Sequence, residues 1–404
     1  MAQILDNIAE PLLSTTGDQI VIADTAQPVT YDAQGATQSS IYGVELWSPS
    51  GSLIADLSPL LLSRHFKATR NRAEQIDFSM DLGQVESLVS SLGTTVRDFL
   101  GPGYNEVRIK RGSRYLLGGQ TQYLLPSLDG DKRTLEVRAV GFLELFKDRF
   151  TYASDNNDPY GLKLTSMDLA DVAWYFINLT QGRTNGSFGV TRGNVPVGGT
   201  RVITDTWQPY ATNIRDILIA LTQRNNSIDF SFSADKVFNV YYPQGQDKTE
   251  LRFALPGNIK SLRLPVDASE LATLVIARGS GNGADQQVAS TYPATATPEQ
   301  VTYRLREVID DYPSINVVQT LADKATEHYR KNATPTVIPE IVLDGNREPF
   351  LGSYWLGDRV PISIDANQGS AFAPLDGQMW RVNEVDVTVD ENDSESIRLK
   401  VGLY

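Results

Sequence analysis

Residues 352–360 read Gly-Ser-Tyr-Trp-Leu-Gly-Asp-Arg-Val and lead into Pro-Ile-Ser-Ile at 361–364. Glycine and aspartate are common turn residues, and alternation of apolar with polar residues is typical of a strand. Gly357 and Asp358 therefore predict a turn that opens a short β-strand. A turn followed by a strand is the usual pattern of β-barrel proteins, and it recurs along much of the chain.

Composition limits the classes of protein that this chain can belong to. It has 404 residues, a net charge of −13 and no cysteine. The length predicts two to four domains, and the lack of cysteine excludes disulfides, zinc ribbons and thiol nucleophiles. The acidic charge argues against a protein that grips nucleic acid by its phosphates. It is compatible with a surface along which DNA slides without sticking.

Neither a membrane span nor a signal peptide is predicted. No apolar run approaches the ~18 residues that a membrane helix needs. The first ten residues lack the basic and apolar regions of a signal peptide. We therefore expect synthesis in a cytoplasm and no membrane insertion by this chain.

The first part of the chain predicts an arm followed by a barrel. Residues 1–39 are polar, with one apolar run at 20–23, and predict an N-terminal extension or arm, or simply a frayed terminus. Residues 40–150 predict a small β-barrel with an inserted helix at 84–100, which Gly101-Pro102-Gly103 ends. The predicted strands of this barrel are 43–47, 75–82, 105–111, 113–125 and 133–140, and a short helix at 141–149 follows them.

The remainder predicts an insert and a second barrel. Residues 151–257 predict a compact α+β domain with helices at 168–180 and 212–225, the second capped by Asn213. Its strands are predicted at 228–233, 236–242 and 250–254. Residues 258–404 predict a second β-barrel with a helix at 314–331 capped by Ser314. Its strands are predicted at 258–280, 336–343, 358–364, 377–390 and 395–402. The predicted fold is mainly β with an α+β insert and two β-barrels.

Few residues suggest catalysis. The chain has two histidines, His65 and His328, and no catalytic motif surrounds either. His328 is interpreted as a surface or half-buried residue of the predicted helix. Carboxylate pairs for glycoside hydrolysis are too many for one to be singled out. We predict no catalytic residue, no cofactor-binding residue and no enzyme activity.

Three further patterns have simple structural interpretations. The glycine-rich run at 279–283 misses the spacing of the dinucleotide fingerprint and predicts a hairpin or an interdomain loop. Acidic clusters at 155–158 and 386–395 do not fit a calcium loop, and the second predicts a solvated hairpin. No metal site is predicted. Eight aromatic residues fit a sugar site or a core equally well: Trp174, Tyr175, Trp207, Tyr210, Tyr241, Tyr242, Trp355 and Trp380.

One strip of basic residues stands out in this acidic chain. Arg64, Lys67, Arg70 and Arg72 fall within nine residues. Solvated charge, a subunit contact and a local network of ion pairs are all compatible with this strip, and each suits an acidic protein better than DNA capture does.

Several segments, in order, resemble one family. They are 76–82 (Ile-Asp-Phe-Ser-Met-Asp-Leu), 106–112 (Glu-Val-Arg-Ile-Lys-Arg-Gly), 116–121, 137–146, 212–218, 275–285 and 354–360. A strand and an Arg-rich loop precede the first of these. The sequence over 42–404 is similar to siphophage tail-hub, or minor tail, proteins, which are related to the baseplate hub of contractile tails.

The resemblance implies a structural role at the distal end of a phage tail. It implies two tube-like barrels in each chain and a homotrimeric ring that adapts the sixfold tail tube to the threefold tip and surrounds the DNA exit channel. Partners implied are the distal tail protein ring, the tape-measure protein and the tip, fibre or receptor-binding proteins. The alternatives are a glycan-binding or glycan-cleaving tail protein, and the hub of a contractile device. Within this family Asp358 and Arg359 are interpreted as turn and interface residues.

Overall fold

The computed structural model describes residues 42–194, 201–224, 227–293, 295–313 and 315–402. The arm predicted at 1–39 lies outside these residues, as does Ser314, the predicted cap of the helix at 314–331. In the described part of the chain, no helix has both the length and the hydropathy needed to cross a bilayer.

Strands dominate the described residues. The α-helices are α1 (Leu82–Ser91), α2 (Val96–Leu100), α3 (Leu169–Gln181), α4 (Ile214–Leu221), α5 (Pro298–Tyr303) and α6 (Val318–Asn332). The strands are β1 (Tyr42–Trp47), β2 (Leu53–Asp56), β3 (Leu61–Thr69), β4 (Gln75–Asp81), β5 (Glu106–Arg111), β6 (Arg114–Asp129), β7 (Lys132–Gly141), β8 (Leu162–Asp168), β9 (Thr191–Arg192), β10 (Val202–Trp207), β11 (Asp229–Phe232), β12 (Val237–Tyr241), β13 (Phe253–Leu255), β14 (Ile259–Arg263), β15 (Val266–Asp267), β16 (Leu274–Arg278), β17 (Val288–Ser290), β18 (Glu307–Asp311), β19 (Thr336–Val337), β20 (Glu340–Asp344), β21 (Arg359–Ile364), β22 (Met379–Val389) and β23 (Glu395–Gly402). The fold is mainly β, as predicted.

The largest sheet contains thirteen strands. Its order is β14-β20-β23-β22-β3-β4-β7-β6-β5-β1-β2, with β21 beside β22 and β13 beside β21. The pairs along this order are antiparallel, whereas β13 and β21 are parallel. Regular alternation explains the strands. In β4, Ile76, Phe78 and Met80 are buried between polar residues that face outward.

Strands from both predicted barrels lie in one sheet, and the two-barrel arrangement is not confirmed. β3, from the first predicted barrel, pairs with β22, from the second, and Phe66 lies opposite Val387. Both side chains are fully buried in one hydrophobic core that continues across the joint. Within the described residues the path of strands ends at β2 and β14, and no barrel closes. The pairing of β3 with β22 therefore covers one strand edge of each half, and such edges would otherwise be open to other chains.

Two local predictions in the first half are wrong. The helix predicted at 84–100 is broken into α1 and α2, because Gly93 adopts a left-handed conformation (φ 66°) and Thr95 caps the second helix. The predicted Arg-rich loop is mostly strand β3, in which Arg64 is buried and Lys67 faces outward. Gly101 does end α2 as predicted, at φ 50°.

An α+β lobe with its own core follows the first half. α3 and α4 bury Phe176 and Ile217 against aromatic residues of β11 and β12. Asn213 caps α4 as predicted, since its side chain accepts a hydrogen bond from the Asp216 amide at 2.9 Å. The residues predicted as a strand at 250–254 instead contribute β13 to the large sheet, next to β21.

A third, smaller core surrounds α6. This helix begins at Val318, four residues later than predicted, and Val317 at its N-cap makes no side-chain capping bond. Leu321 and Ala325 pack on Val275 and Ala277 of β16. β16 also pairs with β17 and β18. The helix therefore belongs to a small α/β lobe between β14 and β20, not to the core of the large sheet.

Candidate functional site: a buried joint, a polar seam and an open strand edge

The segment 352–360 forms a tight junction between the α+β lobe and the second half. Asp358 accepts hydrogen bonds from the Trp355 and Gln246 amides, both at 2.9 Å. Gly357 has φ 87°, and a Cβ added there would lie 2.5 Å from the Gln244 carbonyl oxygen. Only glycine permits this approach of two backbones. Asp358 organises the turn, and Arg359 opens β21.

Directly behind this turn lies a cluster that we call the buried joint, made of Tyr42, Arg111 and Glu395. The Tyr42 hydroxyl donates to Glu395 Oε1. Arg111 Nη2 lies 3.2 Å from Glu395 Oε2, and Arg111 Nη1 donates to the Leu351 carbonyl at 2.8 Å. All three side chains are buried. The joint therefore ties β1 and β5 of the first half to β23 of the second half by charge as well as by packing.

Burial changes the acid–base properties of the buried joint. Burial raises the pKa of Glu395, and the nearby Arg111 opposes that change. Burial and the Glu395 carboxylate also raise the pKa of Tyr42 and of Tyr354. The Tyr354 hydroxyl is buried and finds no hydrogen-bond partner in the described part of the chain. Loss of the Glu395 charge would remove the carboxylate that lies 3.2 Å from the buried Arg111 guanidinium, and losing one partner of a buried ion pair is strongly destabilising.

The opposite face of the sheet carries the polar seam, defined by His65, Asp77 and Asp386. His65 Nε2 lies 2.9 Å from Asp386 Oδ1, and Nδ1 lies 3.3 Å from Asp77 Oδ2. The hydrogen bonds to Asp386 and Asp77 raise the pKa of His65 to about 9. His65 is therefore a cation near pH 7 and bridges β4 and β22.

The face around the polar seam carries both signs of charge. Lys67 and Lys400 lie 3.1 and 3.2 Å from Glu384, and Arg138 lies 2.7 Å from Asp77. His65 adds a further positive charge. This face is a ladder of ion pairs rather than a uniformly acidic wall.

The outer edge of β6 forms the third feature, the open edge, at 122–129. β5 pairs with β6 only as far as Gln120. Beyond Thr121, β7 is the only described strand that pairs with β6. Tyr123, Leu125 and Leu128 are 49%, 38% and 74% exposed there. An unpaired strand edge with exposed apolar side chains favours association with another chain.

The residues that raised the question of chemistry in the sequence are dispersed. His65 and His328 lie in different lobes, and His328 Nδ1 is 2.7 Å from Asp310. Among the described residues, no group of three or more His, Cys, Asp or Glu side chains has an arrangement that could hold a metal ion. The run at 279–283 forms the turn between β16 and β17, where Gly279 and Gln287 are hydrogen-bonded. In the acidic cluster at 386–395, Asp390 closes the hairpin by accepting from the Asn392 and Ser394 amides.

The aromatic residues considered for a sugar site are also spread over separate cores. Trp174 and Trp207 pack against the core of the α+β lobe, whereas Trp355 and Trp380 belong to that of the large sheet. Tyr210 is 61% exposed, and its ring lies 5.7 Å from that of Tyr152 in a tilted arrangement. They do not form one exposed aromatic platform.

The basic strip is largely paired. Arg64 contacts Asp393 at 2.7 Å, and Lys67 contacts Glu384 at 3.1 Å. Arg70 approaches Asp229 at 3.4 Å. These pairs agree with the interpretation as a local network of ion pairs. The acidic partners of these residues could not be predicted from the sequence, because each lies more than 150 positions away along the chain.

Solved structures with a similar fold include tail proteins. The 43 kDa tail protein of prophage MuSo2 from Shewanella oneidensis has a TM-score of 0.58 at 12% identity, covering 89% of this chain and 98% of that one. The tail protein from Neisseria meningitidis MC58 has a TM-score of 0.59 at 12% identity, covering 89% and 96%. This chain has the fold of phage tail proteins. The resemblance predicted from the sequence is thus confirmed at the level of the fold.

A third tail protein is similar over the same extent. Prophage tail protein gp18 from Listeria monocytogenes EGD-e has a TM-score of 0.50 at 11% identity, covering 89% of this chain and 94% of that one. No protein-family model and no curated protein sequence matches the chain. The similarity is therefore one of fold, at 11–12% sequence identity.

Proposed function

We propose that this chain is a structural hub protein at the distal end of a non-contractile phage tail. The observation that carries the proposal is the shared fold, which extends over 89% of this chain and nearly the whole of two tail proteins, one of them from a prophage. The role needs no catalysis, and the proposal includes none. The virion is the corresponding location, with assembly in the host cytoplasm.

The proposed assembly is a homotrimeric ring that adapts the sixfold tube to the threefold tip. The open edge supports association, because its exposed Tyr123, Leu125 and Leu128 lie beside unpaired backbone groups. A closed ring offers each copy the same pair of neighbours and leaves no such edge unpaired. The proposed partners beyond the ring are the distal tail protein, the tape-measure protein and tip or fibre proteins.

Phage DNA is proposed to pass through the ring without specific binding. The net charge of −13 supports passage, since an acidic wall repels phosphates. The face around the polar seam carries ion pairs of both signs and so does not supply such a wall. An acidic lining would therefore have to come from another surface of the chain.

Electron microscopy of the purified full-length chain tests the proposal. Class averages are expected to show rings with threefold symmetry and a central opening. Mixed with tail tubes, the rings should cap one end of the tube. Compact particles of one chain at micromolar concentration, with no ring and no tube binding, would contradict the proposal.

A further inference from the structure

A polar cleft lies where the large sheet, the α+β lobe and the end of α6 meet. Its volume is about 820 Å³. Two carboxylates, Asp229 and Glu327, line it. The basic residues that line it are Arg70, Arg72, Arg330, Lys331, Arg359 and Arg381. This excess of positive charge contrasts with the net charge of −13 for the whole chain.

Backbone register brings three of these arginines together, and we call them the arginine cleft: Arg70, Arg359 and Arg381. Arg359 on β21 lies directly opposite Arg381 on β22. The Arg70 amide donates to the Asn383 carbonyl at 2.9 Å, which places Arg70 two residues along from Arg381. Like charges directly opposite each other on paired strands are destabilising. The repulsion between Arg359 and Arg381 is therefore not explained by packing of the two strands alone.

Carboxylates of the chain offset this charge only in part. Arg70 Nη1 is 3.4 Å from Asp229, which already accepts from Asn71 at 2.7 Å and from the Gln244 amide at 3.0 Å. Arg359 Nη1 is 3.4 Å from Asp247, whose side chain is 55% exposed.

Arg381 is the arginine of the cleft whose hydrogen-bonding capacity is least satisfied by the described residues. Its Nε is buried and has no hydrogen-bond partner among the described residues. Burial and the neighbouring Arg70 and Arg359 lower the pKa of Arg381, against the opposing effect of Asp229 and Asp247. On its other side Arg381 faces Gly402, which has no side chain to occupy the cleft.

We propose that the arginine cleft binds a phosphate group in its dianionic form, held by Arg70, Arg359 and Arg381. Guanidinium groups match phosphate oxygens in pairs of parallel hydrogen bonds. Three cations that line one cleft are better matched by a group with about two negative charges than by one carboxylate. A phosphodiester of a nucleic-acid backbone carries a single charge, so the fit is to inorganic phosphate, pyrophosphate or a terminal phosphate.

Isothermal titration calorimetry of the full-length chain tests this site. Inorganic phosphate and pyrophosphate are each titrated into the native protein and into Arg381→Gln and Arg359→Gln. Arg347→Gln is the matched control, because Arg347 is an exposed arginine outside the cleft that contacts Asp344 at 3.4 Å. We expect one site per chain, at least about tenfold weaker in either cleft variant and unchanged in the control.

A thermal-unfolding series separates loss of binding from loss of folding. Pyrophosphate should raise the unfolding temperature of the native chain and of Arg347→Gln but not of the cleft variants. Absence of binding, or equal binding by native chain and cleft variants, would overturn the proposal. A short oligonucleotide with a 5′-phosphate should bind better than the same strand without it. Equal binding of the two strands would show contact with diesters and would also overturn the proposal.

Discussion

Two strand edges of the large sheet differ in whether another strand covers them: β3 is paired with β22, whereas the outer edge of β6 at 122–129 is open. Where β3 pairs with β22, one half of the chain contacts the other. The buried joint stabilises this contact on the inner face of the sheet, and the polar seam stabilises it on the outer face. At the open edge, the described residues provide no second strand, and apolar side chains remain exposed. The pairing of β3 with β22 stabilises the chain itself, whereas the open edge is the surface that we propose for assembly between chains.

The largest expected effect comes from breaking the buried joint. Glu395→Gln keeps the shape of the side chain but removes the carboxylate charge that faces the buried Arg111 guanidinium. We expect a loss of about 4 kcal/mol in the free energy of unfolding. Urea denaturation checks this, with Glu391→Gln as the control because Glu391 is exposed in the neighbouring turn. If the two variants unfolded at the same urea concentration, the joint would not hold the halves together.

The turn at 352–360 should be next in sensitivity. Gly357→Ala combines an unfavourable positive φ with a Cβ 2.5 Å from the Gln244 carbonyl, and we expect a loss of about 3 kcal/mol. Gly377→Ala has φ 68° but open space around the added Cβ, and should cost about 1 kcal/mol. The difference between the two midpoints in urea measures the packing of the turn. Equal costs would mean that backbone conformation alone selects glycine at 357.

Changing the open edge should affect assembly and not folding. Leu128→Lys places a charge on a side chain that is 74% exposed. The dissociation constant of the assembly should rise at least about tenfold, which corresponds to about 1.4 kcal/mol. Val301→Lys is the matched control, at 75% exposure in the small lobe. Analytical ultracentrifugation over a range of concentrations gives both constants. Weakening of assembly by the control alone would place the contact elsewhere.

The polar seam should give the smallest effect and a distinctive pH dependence. The pKa of His65 rises from 6.5 to about 9 on folding, so its contribution is complete below pH 6.5 and is lost as the pH rises through about 9. His65→Gln should therefore lose about 1 kcal/mol of unfolding free energy at pH 6 and almost none at pH 10. The other histidine serves as the comparison through His328→Gln. A loss at His65 that stays constant from pH 6 to pH 10 would show that packing, not charge, stabilises the seam.

Sequence reasoning succeeded where the signal is local. Asn213 as a cap, Gly101 as a helix end and the turn at Gly357 each depend on neighbours a few residues away. The buried joint could not be predicted because its members are far apart in sequence: Tyr42 and Glu395 are 353 positions apart. Strand β3 was missed because its outward charges concealed the alternation of Phe66 and Ala68 beneath them.

The candidate site is the part of the molecule that the sequence predicts least well. His65 gains its character from Asp77 and Asp386, and the second of these is brought to it only by the pairing of β22 with β3. The cleft near Arg381 likewise depends on register between β21 and β22. Periodicity predicts which face of a strand is buried, but it does not predict which strand lies beside it.

The mass of the purified full-length chain tests the central claim most directly. Native mass spectrometry at micromolar concentration should give a species of three times the 44.5 kDa chain mass, and Leu128→Lys should shift it toward a single chain. A native protein that stays at the mass of one chain across this range would contradict the account of the open edge as an assembly surface.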